Sequence, residues 1–165
     1  MKNNIVLIGM PGVGKSSAGV ILAKILGYKF LDAELVIQKT KGCLLKDIIA
    51  NEGVDAFIKI ENDINKSLVP EKTVIATGGS AVYGTEAMEH YKEIATIVYL
   101  KLDLKKLSRR LGNLNSRGVV LKDGQTLKDI YEERVPLYEK YADIIVDEKN
   151  KNIEQTIKAI VDQLD

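Results

Sequence analysis

The chain has 165 residues, 45% of them apolar, which suits one globular domain able to bury roughly two-thirds of its unfolded surface. Twenty-four Lys and Arg against 23 Asp and Glu leave a net charge of +1, so the basic excess that draws a protein to nucleic acid or an anionic membrane is missing. A lone cysteine, Cys43, makes no internal disulfide and has no second Cys at metal-binding spacing, which predicts a packing role in a reducing cytoplasm.

The apolar run Ile5 to Ile8 stops at Gly9, too short for a signal core or a membrane span of about 20 residues, and predicts a strand buried on both faces. A soluble, unexported protein is expected. After a glycine-rich loop, Val20, Ile21, Ala23, Ile25 and Leu26 predict a helix over Lys15 to Leu26, closed by Gly27. A second strand is read at Lys29 to Leu31. Helical stretches follow at Glu34 to Lys41, Leu45 to Asn51 and Asp55 to Leu68, punctuated by Gly42, Gly53 and Pro70.

Strands at Thr73 to Thr77 and Thr96 to Leu100 are flanked by helices at Thr85 to Glu93 and Asp103 to Leu111. Asn113 to Gln125 is polar and aperiodic, and predicts a mobile surface loop. A helix from Leu127 to Tyr141 despite Pro136, a strand from Asp143 to Val146 and a helix from Ile153 to Leu164 complete the chain. Strands alternating with helices predict an α/β fold with a parallel sheet, and no repeat or linker divides it. His90, alone and without metal-binding neighbours, reads as a surface histidine; Tyr131, Tyr138 and Tyr141 read as packing, and Lys149 and Lys151 as a solvated loop.

Gly9 to Ser16, G-M-P-G-V-G-K-S, matches G-x-x-x-x-G-K-[ST] in full, between a buried strand and a helix as that motif requires. Such a loop turns backbone N–H groups onto phosphate oxygens at the positive end of a helix. The nucleotide-binding positions are Gly12, Val13, Gly14, Lys15, Ser16 and Ser17, with Lys15 on the β- and γ-phosphates and Ser16 on Mg²⁺. The motif serves ATPases, GTPases and small-molecule kinases alike. The chain has no N-K-x-D guanine-reading element and carries an Arg-bearing loop able to exclude water, which favours an ATP-dependent kinase.

The phosphate loop, L-G-Y-K-F-L-D-A-E, Phe57-x-x-x-Glu61, A-T-G-G-S from Ala76 to Ser80, Arg109-Arg110-Leu111, Arg117 and the run from Arg134 to Asp143 together resemble the shikimate kinase family along nearly the whole chain. The resemblance implies a three-layer P-loop kinase fold with a five-stranded parallel sheet, nucleoside-monophosphate-kinase-like. One domain, 1–165, would carry a substrate-binding helical region at about 33–62 and a lid at about 112–125. It implies ATP and Mg²⁺, a small-molecule substrate, a cytoplasmic monomer without nucleic-acid or membrane partners, and a place in aromatic amino acid biosynthesis. Residue by residue, Asp32 would join Ser16 at the metal, Glu34 would bind the accepting hydroxyls, and Lys15 and Arg117 would neutralise charge on the transferring group. Arg110 would pack on adenine, Gly78 and Gly79 would line the substrate pocket, and Arg134 would grip the substrate carboxylate. Helix capping is the competing explanation for Asp32 and Glu34, and exposed charge for Arg110, Arg117 and Arg134.

The departures from the family fall on the substrate side. A second carboxylate-binding arginine is replaced by Ile58, a loss that typically costs about 2–5 kcal/mol. Lys59 is no substitute, because adjacent helical residues point about 100° apart and lysine has no planar fork. Ser80 stands where the family has a third glycine, Glu34 where it has Asp, and Gly118 where Pro follows the lid arginine. Glu61, without its usual arginine, is expected to be free for another cation or a ligand amine. Three readings follow: a shikimate kinase, a same-fold kinase for a different hydroxylated metabolite, and a nucleotide-binding regulator without transfer.

Overall fold

The computed structural model describes residues 2–112 and 119–164. Strands β1 (Asn4–Ile8), β2 (Lys29–Asp32), β3 (Thr73–Ala76), β4 (Ala95–Lys101) and β5 (Ile144–Asp147) form one sheet in the order β2-β3-β1-β4-β5. Every pair is parallel, with Ile5 opposite Val74 on one side of β1 and Thr96 on the other. All residues of β1 and β3 are buried, as their continuous apolar runs predict. At the edge, β5 alternates buried and exposed residues.

Helices α1 (Lys15–Leu26), α2 (Ala33–Lys41), α3 (Leu45–Glu52), α4 (Val54–Ser67), α5 (Thr85–Ile94), α6 (Leu104–Leu111), α7 (Leu127–Tyr141) and α8 (Ile153–Gln163) connect the strands and cover both sheet faces. A 3₁₀ turn, Ala81–Tyr83, precedes α5. Among the described residues no helix is long and apolar enough to cross a membrane. The main core follows the sheet, while Ile37, Leu45, Ile48, Phe57 and Val120 make a second cluster among α2, α3 and α4, with Cys43 packed against it. The capping box of Thr126 and Asp129 starts α7, which runs through Pro136.

The structure departs from the sequence pattern at three places. Of the apolar residues whose pattern predicts α1, Val20, Ile21 and Ile25 are 51%, 37% and 58% exposed, and the buried residues after Lys15 are Ala18, Gly19, Leu22 and Ala23. At Gly19 the helix lies so close to the sheet that no side chain fits: a Cβ there would stand 2.6 Å from the Phe30 ring. The segment read as a polar surface loop contributes Val119 and Val120 to the core clusters, because Val120 plugs the gap beside α2 and α4. His90 is half-buried rather than on the open surface, its Nε2 bonded to the Leu68 carbonyl.

Candidate active site

The carboxyl ends of the parallel strands open onto one cavity of about 310 Å³, the place where such sheets bind ligands. Its floor is the loop between β1 and α1. Gly14, at φ 92°, begins α1 with no side-chain cap, and a Cβ there would meet nothing within 4 Å, leaving the first N–H groups of the helix open to an anion. Lys15 is 7% exposed and its Nζ donates to the carbonyls of Gly9 (2.7 Å) and Met10 (2.9 Å). Burial lowers its pKa to about 8, partly opposed by the Glu34 carboxylate, so the ammonium persists at neutral pH.

At the rim, the Ser16 hydroxyl donates to Asp32 Oδ2 at 3.3 Å, while Asp32 Oδ1 accepts from the Glu34 and Leu35 N–H groups and caps α2. Capping is therefore real, and it leaves one carboxylate oxygen facing Ser16. Two hard oxygen donors beside an open helix N-terminus fit Mg²⁺ accompanying a phosphate. Next to them Glu34 is half-buried, and burial raises its pKa.

The far wall of the cavity includes Gly79, Ser80 and Arg134. Arg134 is 1% exposed; its Nη2 donates to the Val120 carbonyl at 2.9 Å, its Nε to the Tyr83 hydroxyl at 3.3 Å, and its guanidinium sits 5.3 Å from the Tyr83 ring centroid. Val120 O and Tyr83 thus hold one side of the fork. Its Nη1 would stand 3.0 Å from a Cβ on Gly79, so the absence of a side chain there leaves room before the guanidinium. Tyr138, one turn after Arg134, donates to the Gly79 carbonyl at 2.6 Å.

Glu61, 2% exposed, accepts the Ser80 hydroxyl at 2.5 Å, which replaces the expectation that it is free for a cation or a ligand amine. Among the described residues its Oε2 has no partner, and a Cβ on Gly78 would lie 2.8 Å from it and 3.0 Å from Glu34 Oε2. Burial raises the Glu61 pKa to about 7, opposed by the Ser80 hydrogen bond. Ile58 does not border this cavity. It packs against the second cluster and lines a smaller cavity of about 130 Å³ with Tyr83, Val120 and Lys122.

A third cavity of about 190 Å³ adjoins the phosphate loop and is bordered by Val13, Ser17, Arg110, Glu148 and Lys151. Exposed Arg110 donates to the Gly12 carbonyl at 3.1 Å and so covers one side of the loop. Gly12, Gly14, Lys15, Ser16 and Ser17 meet Glu34, Gly79, Ser80 and Arg134 around the main cavity, while Gly78 lies behind its wall. Arg117 and the centre of the expected lid lie outside the described residues. Tyr83, isolated in a three-residue turn, and Glu148 carried no signal in the sequence. Tyr138 was visible only as one of three helically spaced tyrosines.

The family model described as shikimate kinase matches residues 11–165. The shikimate kinase of Thermodesulfovibrio yellowstonii is 35% identical, with 96% of this chain and 92% of that protein covered. That of Clostridium botulinum is 36% identical over 96% and 94%. Among solved structures, shikimate kinase from Acinetobacter baumannii in complex with shikimate superposes with a TM-score of 0.87 at 26% identity, covering 100% of this chain and 97% of that one. Shikimate kinase from Aquifex aeolicus gives 0.81 at 30% identity, covering 96% and 94%.

Proposed function

The chain belongs to the shikimate kinase family, and on that premise we propose that it transfers the γ-phosphoryl group of ATP to a ring hydroxyl of shikimate. The observation that carries this reading is a single cavity with a phosphate-binding loop at one end and the buried guanidinium of Arg134 at the other, with Glu34 between. It joins an anion-binding helix N-terminus to a fork for a carboxylate.

Bound MgATP supplies the phosphoryl group and a cation on its oxygens. The N–H groups after Gly14 and the Lys15 ammonium receive phosphate charge, and Ser16 and Asp32 hold the metal side. Arg134 orients the substrate through its carboxylate. Glu34 accepts a hydrogen bond from the attacking hydroxyl and takes its proton as the new P–O bond forms and the bond to the departing ADP oxygen breaks. Arg117 is assigned to the transferring group from its place in the family motif alone. Arg110 and the cavity beside it are assigned to adenine. The near-neutral charge supports a small-molecule substrate, not nucleic acid, and a cytoplasmic location goes with that assignment.

The test is ADP release with MgATP and shikimate, compared with quinate, gluconate and homoserine. Shikimate turnover is expected, lost in Lys15→Ala. Arg134→Lys should raise the shikimate KM roughly thirtyfold or more with little change in the ATP KM, because an ammonium cannot reproduce the planar fork. Turnover of a different panel member with none of shikimate would overturn the substrate assignment.

A further inference from the structure

Arg134, buried on α7, borders the main cavity, and its Nη1 lies beside the space that Gly79 leaves there. Its other edge is bound within the protein: Nη2 donates to the Val120 carbonyl at 2.9 Å and Nε to the Tyr83 hydroxyl at 3.3 Å. Beyond Tyr83 stands the exposed residue before Arg134, Glu133, whose Oε1 accepts the Tyr83 hydroxyl. The direction of these bonds is fixed by the guanidinium, which only donates. The Tyr83 oxygen must accept from Nε, and its single proton is left for the carboxylate. Burial and the bond to Glu133 raise the Tyr83 pKa, so the phenol keeps that proton at neutral pH.

We infer that Tyr83, backed by Glu133, is a positioning residue for Arg134, holding the single Nε proton so that a substrate carboxylate meets the fork only through Nη1 and Nη2. The inference rests on the proposed shikimate reading and deepens it. An arginine can take a carboxylate in two bidentate ways, along the edge of Nε and one Nη or across the two Nη groups. The first needs the Nε proton, which Tyr83 has. The ring adds a second constraint, since the guanidinium carbon sits 5.3 Å from its centroid, within cation–π reach. Tyr83 is itself steadied from two sides, because its turn packs against both α4 and α7. Ile58 of α4 borders the same small cavity as Tyr83 and Glu133 and has no polar side-chain atom, so no cation from that position competes for either oxygen. The apolar residue at position 58 and the Tyr83–Glu133 pair therefore belong together: one fork remains for the carboxylate, and its angle is set from behind.

The test is ADP release at saturating ATP, with kcat/KM for shikimate compared among wild type, Tyr83→Phe, Glu133→Gln, Arg134→Lys and the Tyr83→Phe/Arg134→Lys double variant. Tyr83→Phe keeps the ring and deletes the acceptor, which frees Nε; kcat/KM for shikimate should fall about threefold to tenfold, the worth of one hydrogen bond, with the ATP KM unchanged. Glu133→Gln should lower it in the same direction by less, because a neutral amide oxygen accepts the Tyr83 proton more weakly than a carboxylate. In the Arg134→Lys background Tyr83→Phe should change nothing further, since lysine has no Nε–H to hold. A packing role alone would give a loss that multiplies in the double variant or that also moves the ATP KM, and either result would overturn the inference while the shikimate reading stands. Wild-type values in either single variant would overturn it as well. Should Tyr83→Phe fail to fold, Glu133→Gln, at an exposed position, and its combination with Arg134→Lys carry the same comparison. No shikimate turnover by the wild type would overturn the shikimate reading and this inference with it.

Discussion

Lys15, Glu61 and Arg134 are 7%, 2% and 1% exposed, so one ammonium, one carboxyl group and one guanidinium are buried around a single cavity. Residues of these types are rarely buried unless paired, and here the partners are mostly carbonyls and hydroxyls: Gly9 and Met10 for Lys15, Val120 and Tyr83 for Arg134, Ser80 for Glu61. Each cation keeps donors for a ligand, since a lysine has three and an arginine five. Glu61 is the least satisfied of the three, its Oε2 unpartnered among the described residues and its pKa raised by burial to about 7 from an ordinary 4.5. A raised carboxyl pKa contributes stability that is full below about 4.5 and is lost as pH rises through about 7. Glu61→Gln should accordingly gain thermal midpoint relative to wild type, by a few degrees, on going from pH 5 to pH 8. An unchanged difference across that range would show that the carboxyl is ionised throughout.

The helices that carry the site are placed by small residues as much as by large ones. Following the phosphate loop, α1 turns Ala18, Gly19, Leu22 and Ala23 to the sheet, and Phe30 of β2 fills the space that Gly19 leaves. In an exposed helix interior, Gly→Ala gains up to about 1 kcal/mol. Here the sign should reverse: Gly19→Ala places a Cβ 2.6 Å from the Phe30 ring and is expected to destabilise by about 1–3 kcal/mol in urea unfolding, with the midpoint lowered and the slope unchanged. On α7, Arg134 and Tyr138 share a face at four-residue spacing, one bonded to Val120 and the other to Gly79. The helical spacing of the tyrosines was plain in the sequence. That the Tyr138 hydroxyl would fix the Gly79 carbonyl was not, because Gly79 lies 59 residues away.

Phosphate loop, metal-side oxygens and substrate wall come from distant segments of the chain, so a nucleotide bridging them should stabilise the whole domain. At a hundredfold excess over its Kd, MgADP should add about 2.7 kcal/mol, or roughly 5–10 °C in thermal midpoint. EDTA should shrink that shift if Ser16 and Asp32 hold the metal, and Lys15→Ala should nearly remove it; no shift with wild-type protein would refute the assignment of the loop. The loop itself, the helix that follows, the buried strands and the cap at Gly27 were legible in advance, since each depends on neighbours within a few residues. The family motifs likewise pointed to Asp32, Glu34 and Arg134. Strand order, the outward turn of Val20, Ile21 and Ile25, the burial of Val119 and Val120, the withdrawal of Ile58 from the cavity and the pairing of Ser80 with Glu61 were settled by tertiary packing. Apolar burial is non-directional and roughly proportional to area, so a segment read alone shows that a residue prefers to be covered but not which partner covers it.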